Sequence, residues 1–351
     1  MTKQKNQPLV YSYDNDSCPL DSLILAAGFE ERAFHFLKSS KFQPHAVCVL
    51  IEFKNDIPQN DEVYKKYRRE VEKKFKPSNV FKVSLNADKL AKFEYELTSM
   101  LSKIPEVVGD VWIDISGMPT HMICSTLNAC RRLSNSSSQT VIYTSAKDYH
   151  PSESEYKKLK AKNPVGIEFL PKSMAREMSE VLMLESFSGH RSKEGISCLA
   201  VFAGYEVHRT SGVIENINPS LLLLLYGKPG NKKLNWRLEL SKSLHKKFES
   251  TRRTAVEEVS TLHVNESIEI LELYYQYLFE DYDFTIAPVC SKMQVVATFL
   301  FWERYKEVQL VFPLPIGYAT ELSPKGVGKT FKTELEPRNS LYRQANLTVE
   351  K

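Results

Sequence analysis

The sequence lacks the cysteine and histidine spacings that commonly build metal sites. None of its six cysteines forms a CxxC pair, and none of its eight histidines belongs to an HExxH motif. The cysteines stand mostly inside apolar runs, which indicates buried and reduced thiols. We therefore expect no metal ion and no other cofactor. No nucleophile stands beside a base in a recognisable pattern, so we predict no catalytic residue.

Long apolar stretches are also absent. The longest strongly apolar run, residues 221–225, is far shorter than the roughly 20 residues that a helix needs to cross a bilayer. The first residues are polar and lack the apolar segment of a secretory signal. These two features predict a cytoplasmic protein with no membrane association.

A strong excess of charge is missing as well. The formal net charge is +4, which is low for a protein dedicated to duplex DNA, so we consider duplex DNA an unlikely partner. Most paired lysines and arginines are expected on solvated helix faces. The small excess is compatible with an anionic small ligand in a locally positive cleft.

The chain contains an internal repeat with an offset of about 176 residues. In each copy an apolar run ends in a glycine, and an aromatic residue, an acid and an arginine follow it. Self-similarity of this kind indicates two copies of one structural unit. The paired positions are Gly28 and Gly204, Phe29 and Tyr205, Glu30 and Glu206, and Arg32 and Arg209.

Apolar runs in the first copy alternate with helical patterns. This alternation predicts a parallel sheet that is covered by helices on both faces. We therefore predict an α/β fold with two tandem Rossmann-like units, mostly parallel sheets and a pseudo-twofold relation between the units. The strands predicted in the first unit are 23–27, 46–52, 80–85, 110–115 and 140–144.

Composition suggests where these units begin and end. A polar lead-in precedes the first unit, a Ser/Gly-rich stretch precedes the second, and a polar, basic segment follows it. The predicted divisions are an N-terminal arm (1–20), a first unit (21–150), a connector (151–195), a second unit (196–318) and a C-terminal tail (319–351).

The loop that begins at Asp114 is the first candidate site. It follows a predicted strand and precedes a predicted helix, so its backbone N–H groups and the helix dipole could face an anion. Ser116, Gly117 and Thr120 are the small or hydroxyl-bearing residues that such a loop needs, and His121 lies beside them. An ordinary strand-to-helix turn capped by Asp114 or Ser116 explains the pattern equally well.

The matching loop of the second copy contributes a cation. There Ser291 and Lys292 stand where the first copy has hydroxyl-bearing residues. Lysine and hydroxyl groups from two related loops would suit phosphate oxygens.

The glycine–aromatic–acid–arginine set is the second candidate site. Glycine allows a ligand to approach the backbone, the aromatic ring could stack on a base, and the arginine could bind phosphate. Alternatively, the acid and the arginine pair with each other and fix the turn.

One further motif looks like a phosphate-binding loop but does not fit the pattern. Residues 323–330 end in Gly328-Lys329-Thr330, yet Ser323 stands where the first glycine is required. Little helical sequence follows, so we do not predict nucleotide hydrolysis here.

The loop Asp114-Ile-Ser-Gly-Met-Pro-Thr120 resembles the D-x-T-G-G-T-K loop after the fourth strand of CARF domains, which sense cyclic oligoadenylates in antiviral systems. A chain with two such units is similar in plan to SAVED domains of anti-phage systems. The resemblance extends over about residues 20–318. Unit one lacks the second glycine and the lysine, whereas the second copy keeps Lys292 but lacks the glycines and the acid.

This resemblance implies a binding module that senses a nucleotide or cyclic oligonucleotide in a cleft between the two units. It would act through a separate effector or complex subunit, because no effector domain is recognisable in the chain. Two alternatives remain: a metal-independent phosphodiesterase similar to the ring nucleases, and a scaffold subunit of a defence complex.

Overall fold

The computed structural model divides the chain into two units. Unit 1 comprises Met1–Lys147 and Pro324–Lys351, and unit 2 comprises Asp148–Ser323. The residues described are 10–13, 19–54, 58–86, 90–104, 109–133, 136–175, 178–189, 196–251 and 253–335.

Fourteen strands occur in the described residues. In chain order they are β1 (Val10–Ser12), β2 (Leu20–Ala26), β3 (Phe42–Lys54), β4 (Val80–Asn86), β5 (Gly109–Asp114), β6 (Ser136–Thr144), β7 (Met178–Leu182), β8 (Ser197–Ala203), β9 (Leu221–Lys228), β10 (Thr254–Ser260), β11 (Asp283–Pro288), β12 (Gln309–Leu310), β13 (Phe312–Pro315) and β14 (Thr330–Leu335).

Nine α-helices connect the strands within the same described ranges. They are α1 (His35–Ser39), α2 (Pro58–Lys74), α3 (Leu90–Leu101), α4 (Thr120–Arg131), α5 (Glu153–Lys162), α6 (Val207–Ile217), α7 (Asn235–Thr251), α8 (Val264–Leu278) and α9 (Lys292–Arg304).

Unit 1 is built on a seven-stranded sheet in the order β1-β14-β6-β5-β2-β3-β4. The five strands from β6 to β4 are parallel, whereas β14 pairs antiparallel with both β6 and β1. In β2 every residue except Asp21 is buried, as expected for a central strand covered on both faces.

Unit 2 is built on a parallel five-stranded sheet in the order β10-β9-β8-β11-β12. Its second strand contains five consecutive buried residues, 222–226, which the leucine run and the following Tyr226 supply. A separate antiparallel pair joins β7 to β13. In both units the five parallel strands follow the order 3-2-1-4-5 when they are numbered along the chain.

The helix after the fourth parallel strand is deeply buried in each unit. In α4 every residue from His121 to Arg131 is buried, and in α9 every residue from Met293 to Trp302 is buried.

The mostly parallel α/β architecture predicted from the sequence is confirmed, and all five strands predicted in the first unit overlap observed strands. The observed grouping of segments differs from the predicted one. β14 lies inside the sheet of unit 1, although residues 319–351 were predicted to form a tail. Its alternation of buried Thr333 and Leu335 with exposed Glu334 is a strand signal that basic neighbours obscure.

The predicted connector, residues 151–195, belongs to unit 2, where it contributes α5 and β7. Of the predicted N-terminal arm, residues 1–9 and 14–18 lie outside the described part. Among the described residues, no helix is long and apolar enough to cross a membrane.

Candidate functional site

The strand order of each sheet reverses next to its first parallel strand. In unit 1 this point lies between β2 and β5, and in unit 2 it lies between β8 and β11. The loops that leave such neighbours run to opposite faces of the sheet, and ligands of open α/β sheets commonly bind in the crevice between them. Thirteen of the fourteen predicted site residues lie in these four loops or in the first turn of the helix that follows, and Asp114 is the last residue of β5.

In unit 1 the two loops touch through their glycines. A Cβ atom on Gly28 would lie 2.7 Å from Cα and 3.0 Å from the carbonyl oxygen of Gly117. Conversely, a Cβ atom on Gly117 would lie 2.8 Å from the carbonyl oxygen of Ala26. Only glycine permits this backbone contact. These glycines therefore close the crevice, and no side chain fits between the two loops.

The arginine of unit 1 is buried and fully engaged. Arg32 is 4% exposed, pairs with the Glu30 carboxylate through Nε, and donates from Nη1 to the carbonyl oxygen of Thr144 at 3.0 Å. Its guanidinium carbon lies 5.4 Å from the centre of the Tyr143 ring. Here the acid and the arginine fix the turn, which is the alternative that the sequence left open. Phe29, between the glycine and the acid, is exposed.

Asp114 and Ser116 stabilise the turn after β5. The Asp114 carboxylate accepts a hydrogen bond from the Ser116 backbone N–H at 2.9 Å, and the Ser116 hydroxyl accepts one from the Thr144 N–H at 2.8 Å. Both side chains are buried. Thr120, the first residue of α4, is half-buried, and His121 is buried.

Tyr67 of α2 adds a buried hydroxyl to this region of unit 1. Burial, reinforced by the negative charges of Asp114 and Glu30, raises the pKa of Tyr67 well above its ordinary value. Tyr67 was not predicted as a site residue, because it stands four residues from Val63 and from Val71, the spacing of a core-facing helix position.

In unit 2 the corresponding loops leave more space. A Cβ atom on Gly204 would lie 3.5 Å from the carbonyl oxygen of Val289 and 3.7 Å from Cα of Cys290, which are ordinary contact distances. The crevice between β8 and β11 therefore accepts at least a methyl group where its counterpart in unit 1 does not.

Glu206, the acid of the glycine–aromatic–acid–arginine set in unit 2, interacts with several groups. Glu206 pairs with Arg209 at 3.1 Å and accepts hydrogen bonds from the Ser173 hydroxyl and the Ala175 N–H. Burial raises the pKa of Glu206, but Arg209 and these hydrogen bonds outweigh it, so the pKa is lower than usual. Arg209 also donates to the carbonyl oxygen of Pro313 at 3.2 Å.

Ser291 and Lys292 form the start of α9. The Ser291 hydroxyl caps the helix by accepting the N–H of Gln294 at 3.2 Å, and it donates to the carbonyl oxygen of Thr261 at 2.6 Å. Lys292 is the first helical residue and is half-buried. The cation predicted here thus lies at the positive end of the helix dipole.

Arg237 of α7 is a residue of this edge that the sequence analysis missed. Its guanidinium carbon lies 5.1 Å from the ring centres of both Tyr205 and Trp236 and 5.6 Å from that of Tyr149. It donates to the carbonyl oxygens of Tyr149, His150 and Pro151 at 3.0–3.4 Å. Burial lowers the pKa of Arg237 below its ordinary value. Its position in the first turn of the helix after β9 could have indicated that it lies at this edge of the sheet. The internal repeat, however, has no matching feature at this position.

Cys290 is influenced by two arginines of unit 2, Arg209 and Arg237. Burial raises the pKa of this thiol to about 11, while Arg237, the Ser291 backbone and Arg209 act in the opposite direction. The two guanidinium groups therefore make the electrostatic potential at the loop after β11 more positive. A thiol with a raised pKa is a poor nucleophile at neutral pH.

The motif that looked like a phosphate-binding loop precedes a strand. β14 begins at Thr330, and Gly328 donates its N–H to the carbonyl oxygen of Ser145 at 2.8 Å. The backbone N–H groups of this segment thus extend the sheet ladder.

No family model and no curated protein matches this sequence. Among solved structures, a type III CRISPR defence DNA nuclease activated by cyclic oligoadenylate is similar, with 9% identity, a TM-score of 0.48, and coverage of 81% of this chain and 64% of that one. A ketoreductase domain from the bacillaene assembly line shows 11% identity, a TM-score of 0.20, and coverage of 80% and 61%. The chain thus spans less than two thirds of either protein, and we assign function from the site alone.

Proposed function

We propose that this protein is a binding module for a nucleotide second messenger of the cyclic-oligonucleotide type. In this proposal it belongs to an anti-phage system, consists of two CARF-like units that arose by duplication, and acts through a separate effector or complex subunit. The duplication is supported by the shared strand order and by the repeated sequence features.

One observation carries the ligand-binding part of the proposal. At the carboxyl edge of unit 2, the loop after β8 leaves side-chain space at Gly204, and the loop after β11 leads into a helix that begins with Lys292. A cation at a helix N-terminus beside an accessible crevice suits phosphate oxygens. Tyr205, half-buried on the loop after β8, offers a ring for a base.

Isothermal calorimetry with a panel of cyclic oligonucleotides, varied in ring size and base, tests the proposal. We expect at least one of them to bind, and we expect Lys292→Ala to weaken its binding about tenfold, since hydrogen bonds to charged groups contribute about 1.5–3 kcal/mol. Lys246→Ala, at an exposed position of α7, is the matched control. Absence of heat across the whole panel would contradict the proposal.

The same samples separate sensing from degradation. Chromatography of the ligand after incubation should return it intact if the protein is a sensor. Progressive loss of the ligand, abolished by Lys292→Ala, would instead indicate a phosphodiesterase.

A further inference from the structure

Arg237 combines partial burial with a positive charge that no carboxylate of the described residues balances. Within the described ranges, no Asp or Glu forms an ion pair with it, and the charged forms of Tyr205, Tyr149 and Cys290 are the only electrostatic partners that influence its pKa. A cation in partly desolvated surroundings without a counter-ion is energetically costly. Arg209, the neighbouring cation, differs because Glu206 neutralises it.

The guanidinium retains hydrogen-bonding capacity. Arginine carries five N–H donors. Arg237 uses three of them on carbonyl oxygens, two from Nη1 and one from Nη2, and no other described residue accepts from Nε or from the second Nη2 donor. Two adjacent donors on a planar group match the spacing of two phosphate oxygens.

The aromatic surroundings hold this group in place. Three rings lie within 5.6 Å of the guanidinium carbon, and the three carbonyl contacts fix its plane. The adjacent Trp236 has an indole N–H that is buried and unpaired among the described residues. A buried indole N–H is normally satisfied by an acceptor, which a water or a ligand oxygen can supply.

We propose that Arg237 is a phosphate-binding residue of unit 2 in addition to Lys292, and that it binds two oxygens of a nucleotide phosphate in the crevice bounded by Tyr205 and Cys290. This inference rests on the proposed function, because only that proposal identifies the phosphate as part of a nucleotide. The bound anion would supply the negative charge that the protein itself does not place beside Arg237.

Inorganic pyrophosphate is the probe for this site, because it offers paired phosphate oxygens without a base. At constant ionic strength, we expect it to bind the wild-type protein and to raise its melting temperature relative to chloride. Arg237→Gln should weaken this binding at least tenfold. The matched control is Arg253→Gln, since Arg253 is an exposed arginine that precedes β10 at the opposite end of the strands. It should bind like the wild type.

Arg237→Gln also removes three hydrogen bonds to the 149–151 segment and could prevent folding, so a second variant leaves Arg237 in place. Gly204→Asp has room for its Cβ atom and adds a negative charge to the crevice. We expect this variant to fold and to lose pyrophosphate binding, whereas the uncharged Gly204→Asn should retain it. Wild-type protein that does not bind pyrophosphate, or Gly204→Asp that binds as well as Gly204→Asn, overturns the inference.

The same variants distinguish this inference from the proposed function. If a cyclic oligonucleotide binds the wild type and Arg237→Gln equally, the proposed function stands and the assignment of Arg237 is wrong. If pyrophosphate binding depends on Arg237 while no nucleotide of the panel binds, the phosphate site stands and the nucleotide-sensing function is wrong.

Discussion

The five parallel strands of each sheet follow the same order, yet the points where that order reverses differ in their chemistry. In unit 1 the loops after β2 and β5 meet backbone to backbone, with a Gly28 Cβ position only 2.7 Å from Gly117. In unit 2 the same measure is 3.5 Å at Gly204. Shared topology therefore does not make two equal sites, because a difference of less than 1 Å decides whether a side chain fits between the loops.

The two units also differ in the charge balance at this edge of the sheet. In unit 1 the buried Arg32 pairs with the acid Glu30. In unit 2 Glu206 neutralises Arg209, and Arg237 remains as an excess cation. Unit 1 thus uses its repeated polar residues to hold its loops together, whereas unit 2 leaves Arg237 without an acid among the described residues, and the proposed anion site rests on this difference. The following predictions test this contrast.

The largest effect is expected at the buried ion pair of unit 1. Arg32→Met should lower the free energy of unfolding by about 4 kcal/mol, because it leaves the Glu30 carboxylate without its cation. Urea unfolding measures this change. The double variant Arg32→Met/Glu30→Gln should recover part of the loss, and a ligand-binding role for Arg32 would instead leave stability unchanged.

Unit 2 should respond to acid through His245 of α7. Burial lowers the pKa of this fully buried histidine to about 4, while in the unfolded chain it titrates near 6.5. Between these values the unfolded state binds the extra proton, so stability falls as the pH decreases from 6.5 to about 4. The total loss should be about 3 kcal/mol, at 1.36 kcal/mol per pKa unit.

Urea unfolding at pH 7 and pH 4.5 measures this dependence. His245→Leu removes the titrating group and should flatten the pH dependence relative to the wild type. An equal slope in both proteins would show that other groups are responsible.

The glycine contact can be tested by matched substitutions. Gly28→Ala should cost about 2–3 kcal/mol, because the obstructing atoms belong to the backbone of Gly117 and cannot rotate away. Gly204→Ala should change the free energy of unfolding by less than about 0.5 kcal/mol, as at an unobstructed position. Equal costs at both positions would mean that the two crevices do not differ.

The smallest effect concerns the loop hydroxyls. Ser116→Ala leaves the buried N–H of Thr144 without its acceptor and should cost about 2 kcal/mol. Ser291→Ala removes a helix cap and should cost about 1 kcal/mol. Urea titrations measure both losses of unfolding free energy, and the loss for Ser116→Ala should be the larger. A larger loss for Ser291→Ala would contradict the view that the buried hydrogen bond to Thr144 stabilises the protein more than the helix cap does.

Sequence patterns predicted the sheet of unit 1 well because its strands are continuous apolar runs, a local property. They also located both loop pairs, since glycine followed by an aromatic, an acid and an arginine marks the end of the first strand. They did not place β14, because the pairing of a strand from the far end of the chain with β6 depends on residues about 190 positions away. The surroundings of Arg237 could not be predicted for a similar reason, because they are assembled from residues 149–151, Tyr205 and Trp236.

The sequence by itself determined the alternating α/β plan and the position of the loops, because periodicity and glycine placement act over a few residues. Only the tertiary structure decided which loops touch, which arginine has an acid beside it and which does not. Those properties depend on distances between segments that are far apart in the chain. A difference of a few tenths of an ångström to about 1 Å is enough to change a possible binding crevice into a closed contact.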